Sequence, residues 1–237
     1  RGQFGDLTAT LGLRAPFFER ELNQYCITTT ASGDVDCVNG DDAIADYLTA
    51  NPTSVAPTSA TYKYDKILPN IGLNYDITPA ASIFASYAKN LSVPSTDPLY
   101  GSLFVGVSPV PETSDAFDLG VRYQTGNVQA QVTGWYNQYN DRIKTAYDPI
   151  LDRSITRNLG KVEMYGVDGS IAWQPAEPFF LYVFGSYLKS EIKEDVQTGA
   201  NSFAATAGKR EAGAPKFTLG ARAQGSFGPL ELGAQIK

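Results

Sequence analysis

No histidine occurs among the 237 residues, and there are only one methionine and two cysteines. Without histidine the chain lacks both the commonest general base and the commonest metal ligand. No G-x-S-x-G elbow, phosphate loop, HExxH or CxxC is present, so we do not read the chain as an enzyme or expect a cofactor. Basic clusters are also missing and the formal charge is -6, which argues against nucleic acid, where counterion release needs grouped Lys and Arg. No run approaches the roughly 18 apolar residues of a membrane-spanning helix, a test that says nothing about a membrane barrel. The chain starts at Arg1 without a charged-then-apolar leader, so targeting information is expected to be absent or already removed. The two cysteines, Cys26 and Cys37, sit in a polar, loop-like stretch. In an oxidising compartment they read as a disulfide worth roughly 3 kcal/mol at most. A metal site is the rival reading, weakened by the lack of further ligands.

What the chain has in abundance is alternation. In "DLTATLGLRA", Leu7, Ala9, Leu11 and Leu13 fall on one face and Thr8, Thr10, Gly12 and Arg14 on the other. The same period of two runs through "NIGLNYDIT", "ASIFASYAK", "AFDLGVRYQ", "VQAQVTGWYNQYN", "KFTLGARAQ" and the closing "LELGAQIK". It also runs along both arms of the stretch at 164–190, "MYGVDGSIAWQPAEPFFLYVFGSYLKS", which turn about "QPAEP". These runs predict an all-β antiparallel up-and-down meander of about nine strands and no helix longer than a loop turn. In the polar stretch "DDAIADYLTANP", one or two helical turns are expected, with Asp41 as cap and Pro52 as stop.

The links between strands alternate in length. Those near 77–80, 125–127, 174–178 and 226–229 are a few residues long, while those near 18–60, 91–113, 143–155 and 191–213 are long. In a meander, alternate links lie at opposite ends of the sheet. One end is therefore trimmed and the other elaborated, as in outer-membrane barrels with short periplasmic turns and long extracellular loops.

Alternation alone also fits a soluble sandwich. Three features favour a barrel in a membrane. Many runs reach the roughly 9–11 residues that a tilted strand needs to cross a bilayer. The apolar face is broken by Ala85, Ala130, Gly169, Gly185 and Ala221, which would leave gaps in a core but can face lipid tails. Tyr62, Tyr64, Tyr75, Tyr87, Tyr123, Tyr136, Trp173 and Tyr187 sit toward strand ends, where interfacial girdles place rings with one apolar and one polar side.

Several segments resemble the TonB-dependent outer-membrane receptors. "PETSDAFDLGVRYQTGNVQAQVTGWYNQYNDRI" is similar to the family's Pro-Glu, Glu-x-Gly strand, short turn and aromatic-rich return strand. "NLGKVEMYGVDGSIAWQP" resembles its Asn-x-Gly…Gly-Val-Glu strand, and "ILPNIGLNYDITPAASIFASYAKN" its Pro-x-x-Gly-Leu-x-Tyr hairpin. Asp118 and Asp168 stand where the family usually has Glu. The resemblance implies a partial barrel domain over 1–237, an open slice of a 22-stranded transmembrane barrel, with plug and final strands absent. Leu7–Arg14 and the closing strand are then expected not to pair with each other. Localisation in the bacterial outer membrane is implied, with the lipid bilayer as one partner. So is energised uptake of a scarce nutrient (siderophore-bound iron, a vitamin or an oligosaccharide) through a TonB-type protein that contacts a region outside this chain. A passive porin-like channel and a surface or soluble β-sheet binding module are the alternatives.

Two residue sets follow as candidates. On the polar face, Arg14, Asp76, Asp118, Arg122, Asp168 and Arg222 would line the lumen and meet a plug or a passing ligand. In the long loops, Tyr25, Tyr47, Leu99, Tyr100, Phe104, Tyr147 and Phe203 could stack on a small molecule or sugar, or simply pack the loops. "DVDCVNGDD" superficially resembles a calcium loop, but Val38 falls where a ligand is needed, and a solvated acidic loop accounts for it better.

Overall fold

Ten strands form a single antiparallel sheet in a computed structural model that describes residues 1–30, 34–96, 99, 109–148, 153–199, 201–213 and 215–237. They are β1 (Gly2–Phe4), β2 (Leu7–Arg14), β7 (Leu68–Thr78), β8 (Ala81–Ser92), β9 (Glu112–Gln124), β10 (Val128–Asn140), β13 (Val162–Ala176), β14 (Phe179–Ile192), β17 (Phe217–Phe227) and β18 (Leu230–Ile236), neighbours in that order. The alternating runs predict nine of these. The tenth is β1, whose three residues pair with Leu7–Ala9 and are too few to show a period. β18 pairs only with β17, so the sheet is open, with β1–β2 and β18 at opposite edges.

Every neighbouring pair is antiparallel, and five connections of two or three residues gather at one end of the sheet. Gly5 and Gly228, each with φ 61°, open two of these turns in a backbone region that costs glycine little. The four long connections, at 15–67, 93–111, 141–161 and 193–216, leave from the other end. The first, third and fourth are not plain loops. β3 (Phe17–Asn23) and β6 (Ser59–Asp65) continue the β2/β7 pair outward as a ribbon, and β4 (Ile27–Thr28) with β5 (Val35–Asp36) sits further along it. β11 (Ile143–Asp148) with β12 (Arg153–Asn158), and β15 (Val196–Gly199) with β16 (Ser202–Ala204), do the same for the third and fourth. Pro16, Asp141 (φ 54°) and Gly160 (φ 66°) lie at the points where these ribbons leave the main sheet.

The helix α1, Asp41–Ala50, is longer than the sequence suggests, at 10 residues. Its N-cap is Gly40, not Asp41, and no side chain caps it. Asp41 and Asp42 instead occupy the first turn, where their charge complements the helix dipole.

Register places one continuous apolar row on another. Ile71, Tyr87, Phe117, Tyr136 and Tyr165 are successive direct partners across five strands, as are Ile83, Val121, Val132, Gly169, Gly185 and Leu219 across six. Most of these residues are exposed: Val132 is 55% and Leu219 72% accessible. Among the described residues, the wall has no second layer behind it. Its coherence comes from ladder hydrogen bonds, which in lipid must satisfy every backbone group. The buried apolar residues Leu22, Ile27, Tyr64, Leu68, Val162, Ile192 and Val196 instead belong to the outward ribbons and the rim below them.

Rings bound the apolar band. Tyr75, Tyr123, Trp173, Phe179 and Phe227 stand toward the turn end, while Tyr87, Phe117, Tyr136, Tyr165, Tyr187 and Phe217 stand toward the loop end. From Trp173 to Tyr165 the strand advances about 26 Å at ~3.3 Å per residue. A tilt of about 40° reduces this to roughly 20 Å, close to the apolar height of a membrane barrel. Tyr62 and Tyr64 do not join either girdle. They stack on each other in β6, outside the main sheet, and Tyr64 is buried there.

Candidate ligand path along the polar wall

The face opposite the girdles carries the polar residues of each strand. Asp76, Asp118, Arg122, Asp168 and Arg222 all lie on it, as alternation places them, and Arg14 shares the face of Gly12 at the end of β2. The structure does not gather these charges into one site. Asp76, Asp118, Arg122, Asp168 and Arg222 are each held by a neighbour of their own. Asp118 accepts a hydrogen bond from Ser86 Oγ (2.8 Å), its direct partner on β8. Asp168 accepts one from Ser186 Oγ across β14. Asp76 accepts from Asn74 Nδ2 (2.8 Å), and Arg222 donates to Gln224 Oε1 (2.9 Å).

Arg122 is the most constrained of the set. Its guanidinium lies 3.9 Å above the Phe84 ring, and its Nε donates to Gln131 Oε1 at 3.0 Å. A cation over a ring face gains about 0.5–1 kcal/mol at an exposed site, so the side chain is fixed against the wall. Asp6, Asp76, Ser82 and Gln124 line a polar concavity with it near the turn end.

Alternation did not explain why Phe84, Trp135 and Phe184 stand on the polar face. Register does. Each is the direct partner of a glycine: Gly120, Gly166 and Gly220 respectively. In all three pairs the ring occupies the space where the glycine would carry a Cβ. The aromatic covers backbone that would otherwise lie bare, a device that pins register in curved sheets. The signal was present in the sequence as a Gly on one strand and a ring on the next, but pairing them required the register.

Above the wall, Cys26 and Cys37 form a disulfide with their Cα atoms 4.6 Å apart, which removes the metal reading. It staples the β4/β5 pair beneath the buried Ile27 and Thr28. Among the described residues, no group of His, Cys, Asp or Glu is arranged to hold a metal ion. Five aspartates, 34, 36, 41, 42 and 46, and no Lys or Arg fall between Gln24 and Thr58, so this part of the ribbon is distinctly anionic.

The aromatic candidates separate into kinds. Tyr25 is 84% accessible beside the disulfide, and Phe203 is 64% accessible in β16. Tyr47 is half-buried, and partial desolvation followed by a hydrogen bond to Asp36 holds its hydroxyl above the usual phenol range. Leu99 is buried and so is not presented to a ligand. Tyr100 and Phe104 lie outside the described residues, as does the side chain of Tyr147.

An open antiparallel wall, girdled outside, polar inside and looped at one end only, defines a segment of an outer-membrane-type β-barrel. A family model described as TonB dependent receptor-like, beta-barrel, matches residues 1–235, and the chain belongs to that family. Its members are outer-membrane β-barrel proteins of Gram-negative bacteria, made up of receptors and transporters. Among solved structures, the copper transporter OprC is similar at a TM-score of 0.66 and 14% identity, over 98% of this chain and 32% of its own. The siderophore receptor PiuA from Acinetobacter baumannii gives 0.66 and 16%, over 97% and 30%. The hemophore receptor HasR of Serratia marcescens, solved with its hemophore HasA and heme, gives 0.56 and 16%, over 98% and 41%. At these identities the likeness is one of fold, and the chain spans about a third of the length of the first two.

Proposed function

We propose that residues 1–237 are a partial barrel domain of a receptor that takes up a scarce nutrient across the outer membrane, energised by a TonB-type protein acting on a part of the receptor outside these residues. The observation that carries this reading is the division of the sheet into two chemically distinct faces under one-sided loops. The outer face is committed to lipid tails, and the inner offers a polar wall. The cargo in this reading is siderophore-bound iron, a vitamin or an oligosaccharide, and metal, free or chelated, is the class we test first because solved neighbours are described as a copper transporter, a siderophore receptor and a hemophore receptor. The exposed rings of Tyr25 and Phe203 are the candidate contacts for it. The charged residues of the inner face meet a plug or the passing cargo. No covalent bond changes in such a cycle, so no residue is assigned a catalytic role.

The test is uptake of radiolabelled ferric siderophores and copper by cells carrying the full-length gene, with and without the cell's TonB-type protein. Uptake that collapses without that protein supports the proposal. Solute flux that continues unchanged in proteoliposomes, with no energy source, would favour a passive channel.

A further inference from the structure

Two of the most deeply buried charged groups of the described residues meet at one arginine. Glu112 and Glu211 are 7% and 5% accessible. Arg142 Nη1 donates to Glu112 Oε1 at 2.9 Å, and its Nε lies 3.6 Å from Glu211 Oε1. The second oxygen of Glu112 accepts the backbone N–H of Ile143 at 2.7 Å, and Lys144 Nζ reaches Glu211 Oε1 at 2.6 Å. The Arg142 guanidinium also lies 4.1 Å over the ring of Tyr139. Glu211 Oε2 is buried without a hydrogen-bond partner, so this carboxylate depends on the two cations for its compensation.

The importance of the cluster lies in where its members come from. Glu112 opens β9 at the foot of the connection 93–111, Arg142 and Lys144 begin the connection 141–161, and Glu211 belongs to 193–216. One guanidinium therefore ties the third and fourth connections to the start of β9, where the second connection joins the wall. Glu112 and Tyr139 are on the polar face, which puts the cluster at the mouth of the inner side. Backbone ties reinforce the same grouping. The Asn158 side chain accepts from Val110 N (2.9 Å) and donates to Val110 O (3.0 Å), joining the second connection to the third. Lys193 N donates to Lys161 O (2.8 Å), joining the third to the fourth.

We infer that Glu112–Arg142–Glu211 is a clamp that makes the described parts of the chain around Val110–Glu112, Arg142–Lys144 and Glu211 move as one body at the mouth of the wall. A buried carboxylate that loses its cation is left uncompensated, so one connection cannot swing away while the clamp stays dry. This rests on the reading that the long connections face outward from an outer-membrane receptor. It does not depend on which cargo is carried.

The experiment is double electron–electron resonance on the full-length receptor in lipid nanodiscs, with its disulfide intact. Spin labels are placed pairwise at Val110 and Thr145, and at Thr145 and Ala205. Narrow distance distributions are expected for both pairs in the parent protein. Arg142→Gln should broaden both at least twofold. Glu112→Gln should broaden chiefly the first pair and Glu211→Gln chiefly the second. Arg142→Lys, which keeps the charge and loses the fork, should fall between parent and Arg142→Gln. Retention of heat-modifiable migration on gels shows that each variant still forms its barrel. Distributions that stay narrow in Arg142→Gln would overturn the clamp, as would equal broadening of both pairs by each glutamate variant. A variant that lost its barrel altogether would assign the cluster to folding and would also overturn it. Because the readout is a distance, its failure leaves the transport reading untouched.

Discussion

Phe84 occupies the space that any side chain at Gly120 would need. The two are direct partners on β8 and β9, and a Cβ placed on Gly120 would stand 2.5 Å from Phe84 Cζ. Displacing the ring also removes the surface on which Arg122 rests. Gly120→Val is therefore expected to cost about 1–3 kcal/mol, the usual penalty for overpacking. Urea unfolding of the lipid-embedded protein measures it, and Phe84→Ala in the same background should recover part of the loss. A cost that Phe84→Ala does not reduce would show that the ring is not the obstacle.

Leu119, Val132 and Ile171 face the lipid between the two girdles. Arginine at any of them should cost roughly 2–4 kcal/mol in bilayer-embedded stability, because mid-membrane charge is poorly solvated. Thr133→Arg, one residue from Val132 but on the polar face, should cost well under half as much. Equal losses at Val132 and Thr133 would contradict the assignment of faces.

Reduction of Cys26–Cys37, or Cys26→Ser with Cys37→Ser, should act on the first ribbon alone. The staple closes a short segment, with a sequence separation of 11, and is worth about 3 kcal/mol at most. Proteolysis near α1 is expected to speed up while the unfolding midpoint of the wall stays put. A shift in that midpoint would mean that the ribbon and the wall unfold together.

Asp195 supplies a pH dependence with a definite sign. Its carboxylate accepts the backbone N–H groups of Ala207 (3.0 Å) and Thr206 (2.9 Å), and these hydrogen bonds hold it below the usual aspartate value of 3.8. With the folded-state value depressed, the stabilisation is fully present above the ordinary, unfolded-state value and is lost as pH falls through the depressed one. Hydrogen exchange at Thr206 and Ala207, corrected for its intrinsic pH dependence, should be slow at neutral pH and lose protection only below about pH 4. Asp195→Asn should remove that step, and an unchanged profile in the variant would locate the titration elsewhere.

Much of the architecture was legible in the alternation. Period two with unequal links is a consequence of strands that see lipid on one side and polar surroundings on the other, so face and direction could be read for Asp118, Arg122 and Asp168 before any coordinates. The short β1 was not legible because three residues carry no period, and the ribbons β11/β12 and β15/β16 were hidden in polar stretches whose pairing is set by the strands beneath them. Tyr62 and Tyr64 went astray because they alternate like wall residues but lie past the point where the ribbon leaves the sheet.

By itself, then, the sequence determined that the chain would alternate between lipid and a polar interior, because side-chain direction along a strand follows residue parity. It also determined that elaboration would lie at one end, since link length needs no coordinates. Only the tertiary structure decided which residues meet across strands. The rings of Phe84, Trp135 and Phe184 find their glycines through register, and Arg142 finds Glu112 and Glu211, 30 residues before it and 69 after, because two separate connections and the start of β9 meet at the same rim. Parity is a property of one strand, whereas such contacts belong to the sheet and to the chain that folds above it.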